Sequence, residues 1–200
     1  MNRSLATAGT IVLAFVLQGC RGSDQPSSTD LAEARKQLET RIIADQKVRE
    51  AFGAGGRLDS AQIVAMMRTD SANTAWLKSY VARWGWPTSA QIGDSAVNAA
   101  FIIVQHATQD TAFMRSMLPF ITESYRRGDL KGQDVALLTD RLAIKSGKPQ
   151  IYGTQLSFKE GKLVLDPIAD SAHVDERRQT MGMPPLSVYL HMIDSVMRSP

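Results

Sequence analysis

From Asp30 onward, apolar residues return at steps of three and four, the spacing that keeps one face of an α-helix out of water. Leu38, Ile42, Asp45, Arg49 and Phe52 follow one another in this way. A first helix is therefore predicted from a cap at Asp30 to about Phe52, ended by Gly53, Gly55 and Gly56. A second opens at Asp59 or Ser60 and carries Ile63, Met66, Met67, Trp76, Leu77 and Val81. Asp70-Ser71-Ala72-Asn73 is a candidate break in it, and Gly85-Trp86-Pro87 is its stop. A third, opened by Thr88 or Ser89, holds the run Ala96 to Val104, interrupted only by Asn98. A helix apolar nearly all round belongs at the centre of a core.

A fourth helix is expected from Thr111 to Arg127, with Pro119 as a point of kinking and Gly128 as its stop. A fifth runs from Gln133 to Ser146, between Gly132 and Gly147. The period then falls to two. Leu156 and Phe158, and after them Leu163 and Leu165, alternate with polar residues on either side of Lys159-Glu160-Gly161, which predicts a β-hairpin. Helical segments at Ser171 to Met181 and Pro185 to Met197 finish the chain. The expected architecture is mainly α: a single helical domain over residues 30–200 with one small β-hairpin near the C-terminal third.

Composition narrows the chemistry. The chain has 200 residues, and 23 Lys and Arg against 20 Asp and Glu leave a net charge of +3, too slight a bias to argue for a nucleic-acid partner. A single cysteine, Cys20, excludes an intramolecular disulfide and a Cys-rich zinc site. There is no HExxH or paired-histidine spacing, no GxSxG elbow, no SxxK and no glycine-rich phosphate loop. Neither a metal nor another cofactor is expected.

The N-terminus reads as an address. Arg3 precedes an uncharged run from Leu5 to Leu17, 13 residues long. That is too short to cross a hydrocarbon core of about 30 Å as a helix, so residues 1–19 read as a signal peptide. The run ends in Leu17-Gln18-Gly19-Cys20, which resembles the lipobox of bacterial lipoproteins. The resemblance implies cleavage before Cys20, lipid on its sulfur and amine, and hence a membrane partner through that anchor. It also implies residence in the bacterial cell envelope, facing the periplasm or the exterior. An ordinary secretory signal that ends in cysteine is the competing reading. Residues 20–29 are the lipidated cysteine and a polar tether, because Arg21 to Thr29 holds Gly, Pro and three serines.

Four places put polar residues where apolar ones are expected. Asp45 and Arg49 share the apolar face of the first helix at i,i+4 spacing, as a desolvated pair or as an ion pair at the margin of the core. Gln105-His106 ends the central helix. Ala99, Ile102 and His106 lie on one stripe, so the imidazole is an acid or base in a cleft, or a hydrogen-bonded core residue. On the fifth helix Asp140 shares a face with Leu137 and Ile144 and needs a partner there, with His106 or an arginine as candidates. Arg141 turns about 100° from it. Last, Gln150-Ile151-Tyr152-Gly153-Thr154-Gln155 presents uncharged donors and acceptors, suited to a neutral polar ligand or to satisfying buried helix ends.

Gly85-Trp86-Pro87, Gln105-His106-Ala107, Asp140-Arg141 and Tyr152-Gly153-Thr154-Gln155 in this order resemble a family of uncharacterised bacterial proteins, described as a domain of unknown function, with many exported or lipid-anchored members. Asp45-Gln46-Lys47-Val48-Arg49 and Arg177 with Gly182 fit it as well, and the likeness runs from about Asp45 to Tyr189. The resemblance implies the extent of the domain and assigns no activity. Two function classes follow. One is an envelope lipoprotein whose domain binds a small ligand or an envelope protein through Gln105, Arg141, Tyr152, Gln155, Asp45 and Arg49. The other is a hydrolase-like enzyme with His106 as acid or base, Asp140 orienting it, and Arg141 and Gln155 on the substrate.

Overall fold

The computed structural model describes residues 25–50, 59–159 and 162–198, for residue 162 and residues 196–198 the backbone alone. Cys20, the expected signal peptide and the Phe52 to Gly56 stop lie outside the described residues. The first helix, α1 (Ser28–Lys47), begins one turn earlier than the periodicity indicates. Ser27 rather than Asp30 is its cap. The Ser27 hydroxyl accepts from the Asp30 amide at 3.1 Å, while the Asp30 carboxylate accepts from the Ser27 amide at 3.0 Å. This reciprocal box satisfies two of the amides that a helix start leaves unpaired, and it makes the end of the expected tether helical. Helix α2 (Ser60–Trp84) is capped in the same way by Asp59 and Gln62. It runs without interruption through Asp70 to Asn73, so the expected break is absent. Asp70, Asn73 and Thr74 are buried and face the interior, and Arg49 and Arg41 bond to Asp70 and Asn73.

Gly85 at φ 78° ends α2, and the short α3 (Ser89–Ile92) follows. The expected third helix is two pieces. Gly93 takes φ 83°, a region costly for any residue with a Cβ, and the chain turns there before α4 (Asp94–His106). Helix α4 is the centre of the core, as its composition predicts. Ala96, Val97, Ala99, Ala100, Phe101, Ile103 and Val104 are all buried, and Asn98 is exposed. Helices α1, α2, α3, α5 (Thr111–Arg127) and α6 (Gly132–Lys145) pack around it. Pro119 lies within α5 without ending it, and Gly128 closes that helix in the left-handed conformation.

Strands β1 (Leu156–Lys159) and β2 (Lys162–Leu165) pair antiparallel, with Leu156 opposite Leu165 and Lys159 opposite Lys162. A wholly buried glutamine, Gln150, ties down the base of this hairpin. It donates to the carbonyls of Gln155 and Asp166 at 3.0 and 2.8 Å, and its own carbonyl accepts from the Gln155 amide at 2.8 Å. A 3-10 turn (Ser171–His173), α7 (Val174–Thr180) and α8 (Leu186–Arg198) close the chain. The protein is thus a helical domain with one small hairpin. Among the described residues no helix is long and apolar enough to cross a membrane.

Candidate functional site

Asp45 stands in the last turn of α1 and is fully buried, at the point where α1 meets the middle of α2 and the C-terminal end of α4. His106 closes α4, and its Nδ1 lies 2.9 and 3.0 Å from the two oxygens of Asp45. A carboxylate offers only acceptors, so Nδ1 carries the proton of this contact and Nε2 is left without a protein partner among the described residues. Arg49, one turn beyond Asp45, binds the Asp45 carboxylate at 2.9 Å and its backbone carbonyl at 3.0 Å. Its other terminal nitrogen binds Asp70 at 2.6 Å. Gln46 completes the set, donating to Asp45 at 2.8 Å. Two carboxylates, one guanidinium and one imidazole therefore join α1, α2 and α4.

Burial raises the Asp70 carboxyl above its ordinary value, against the opposing pull of the Arg49 hydrogen bond and of the Arg49 and His106 charges. Asp45, Asp70 and His106 each offer one ligand atom, and these atoms lie within 4.8 Å of one another. That spacing alone would admit a cation. Arg49 already bridges both carboxylates, however, and Nδ1 of His106 faces Asp45, so a cation would have to displace a guanidinium. The donor set is arranged as ion pairs.

His106 and Asp70 open onto a cavity of about 200 Å³ between α2 and the turn that joins α4 to α5. Thr74, Lys78, Gln109 and Asp110 line it too, and the Lys78 ammonium is tied to Asp110 at 2.7 Å. The His106 side chain keeps 24% of its surface exposed, enough for a solute to reach the ring.

Of the residues expected to converge on His106, Asp140 does not arrive. It is fully buried in α6, and its oxygens accept from the amides of Ile151 (2.6 Å), Tyr152 (3.0 Å) and Thr154 (3.0 Å) and from the Thr154 hydroxyl (2.9 Å). The carboxylate that orients His106 is Asp45 instead. The physical reason is short range. The loop leaves α6 only a few residues after Asp140, and its free amides reach that carboxylate first. Gly153 completes the turn at φ 71°, where a Cβ would fall 2.9 Å from Ile168 and Leu186 side-chain carbons. Arg177 and Arg178 clamp the same loop from α7, donating to the carbonyls of Ile151 (2.9 Å) and Tyr152 (2.7 Å). Burial and the Asp140 charge push the Tyr152 phenol up.

Arg141 takes a third direction. It donates to the Gln105 carbonyl at 2.6 Å and to the Gln155 side chain at 3.2 Å. Arg141 thus joins the Gln105 main chain to the Gln155 side chain, but of the expected set only His106 is among the residues lining the cavity. Asp70 is the site residue that sequence reasoning missed. The signal was present, because Ile63, Met67, Asp70, Thr74, Leu77 and Val81 repeat at three and four residues, and a polar residue on such a stripe is a buried one before it is a break.

No curated protein and no solved structure matches the chain. One family model does, over residues 32–198. These residues span α1 through α8 and hold Asp45, Arg49, Asp70 and His106 within a single match. The chain belongs to DUF6624, a family of unknown function.

Proposed function

We propose that this protein is a lipid-anchored envelope protein whose helical domain binds a small polar ligand in the cavity beside His106. The observation that carries the reading is the unpartnered Nε2 of an imidazole whose Nδ1 is locked by a fully buried carboxylate, at the edge of a cavity of about 200 Å³. A carboxylate on Nδ1 holds the ring so that the free nitrogen faces a solute rather than rotating away. Thr74, Gln109 and the Asp70 carboxylate add a hydroxyl, an amide and an acceptor along the wall. The lipid anchor rests on Leu17-Gln18-Gly19-Cys20 and the polar stretch after it.

One observation favours a second reading, proton-transfer chemistry at the same place. Asp70, held protonated more readily than a solvated carboxyl, stands within 4.8 Å of His106 ligand-capable atoms. An acid and a base in one cavity suit hydrolysis with water as the nucleophile. Both readings put the ligand on Nε2. A screen of small polar metabolites by thermal midpoint, run on the wild type and on His106→Gln, tests this: hits should stabilise the first and not the second. A screen without hits, or hits that survive the substitution, removes the cavity from consideration. For the anchor, Cys20→Ala should release the protein from the membrane fraction or leave its precursor uncut. A variant that is processed and retained as before contradicts lipidation.

A further inference from the structure

Arg141 and Gln105 lie next to each other on α6 and α4, and neither is among the residues lining the His106 cavity. The Arg141 guanidinium is held at two points by neutral acceptors, the Gln105 main-chain carbonyl at 2.6 Å and the Gln155 side chain at 3.2 Å. It has no ion pair with a carboxylate among the described residues, and its Nη2 makes no hydrogen bond there. The nearby cation Arg49 is already committed to Asp45 and Asp70. Burial, and after it the Arg49 charge, make Arg141 less basic than a solvated arginine. An uncompensated guanidinium in this setting is unfavourable unless something anionic meets it.

Gln105 has the complementary defect. It is only 5% exposed, and both its side-chain nitrogen and its side-chain oxygen are buried without a hydrogen-bond partner among the described residues. Native interiors satisfy most buried polar atoms, so an amide with neither end paired calls for an explanation. Methionine or leucine of similar size would fill the same volume without that penalty. A glutamine is the better choice only if it has something to bind.

We infer that Arg141 and Gln105 form a binding position for an oxyanion, the carboxylate or phosphate group of a small ligand, which takes hydrogen bonds from Arg141 Nη2 and from the Gln105 amide. A planar guanidinium presents its donors to such a group as a fork, and the oxyanion's lone pairs serve both Arg141 Nη2 and Gln105 Nε2, while a hydroxyl on the same ligand, such as that of a singly protonated phosphate, serves Gln105 Oε1. Gln155 holds the guanidinium in register from the other side. The position is separate from the His106 cavity and stands whether that cavity holds a ligand or is only a cleft.

The test uses the purified full chain at constant ionic strength, with sodium phosphate and sodium acetate as probes and sodium chloride as the balance. The Arg141 Nε–H and Gln105 side-chain amide signals are followed by NMR. Saturable shifts with phosphate alone assign a phosphate ligand, with acetate alone a carboxylate, and with both the shared oxyanion chemistry. No saturable shift with either overturns the inference. Arg141→Gln should abolish the response. Gln105→Met should abolish it too while raising the thermal midpoint of the chloride form by a few degrees, since it removes two unpaired buried atoms. A Gln105→Met protein that is less heat-stable than the wild type, or that responds to the anions as before, contradicts the inference, and this holds even where Arg141→Gln does not fold.

Discussion

Two carboxylates in this protein, Asp45 and Asp140, are equally and completely buried, yet their surroundings have nothing in common. Asp140 is met almost wholly by main chain: three amides and one hydroxyl from a loop that begins about ten residues later. Asp45 is met almost wholly by side chains: Gln46 and Arg49 beside it in sequence, and His106 from the C-terminal end of α4. Amide donors are fixed by the backbone and cannot exchange protons with a ligand. Side-chain partners, by contrast, can reorient and contact a solute, and a neutral imidazole keeps one nitrogen free as an acceptor. Burial alone therefore does not mark a functional acid. The partners do, and by that measure the Asp45 end of the molecule is the candidate site and the Asp140 end is the scaffold for a loop.

Substitution should separate the two. Asp140→Ala leaves three loop amides and the Thr154 hydroxyl without an acceptor, and is expected to destabilise the fold by at least about 3 kcal/mol in urea unfolding. It should also expose the Gln150 to Gln155 loop to amide hydrogen exchange. Asp45→Asn keeps one acceptor oxygen and most of the shape, so the expected loss is smaller, about 2 kcal/mol, because Arg49 retains Asp70. Its larger effect should be on ligand binding through His106. If Asp45→Asn proves the more damaging of the two to stability, the division between scaffold and site is wrong.

The smallest effect concerns pH. Burial raises the folded-state Asp70 carboxyl above its unfolded value. The stability contributed by such an acid is fully present below the unfolded pKa and is lost as pH rises through the folded one. Asp70→Asn should accordingly cost more stability at about pH 4.5 than at about pH 7.5, read from urea midpoints at the two values. A cost that grows with pH would mean that the Arg49 ion pair outweighs burial and that Asp70 belongs with the structural acids.

Much of this fold was legible as periodicity. The central α4 followed from its unbroken apolar run, and the hairpin from the change of period at Leu156. What escaped the sequence was local geometry of one or two residues. Gly93 splits a continuous apolar pattern because a positive φ leaves no trace in hydropathy, and Ser27 displaced Asp30 as a cap because both fit the same box. At the site, Asp45, Arg49 and His106 could each be singled out as polar residues on apolar faces, but their mutual pairing could not. Which acid meets His106 is decided by the packing of α1 on α4, a long-range fact. Asp140 fell to the nearest amides, a short-range one.

With Nδ1 of His106 held by Asp45, the proton sits on Nδ1 and Nε2 is the nitrogen left for the cavity. Nitrogen-15 NMR of the imidazole ring measures this directly. In the neutral ring, His106 should show a protonated Nδ1 and a bare, acceptor-type Nε2, and Asp45→Asn should disturb that preference. A neutral His106 found with the proton on Nε2, or one whose ring signals ignore Asp45→Asn, would contradict the account.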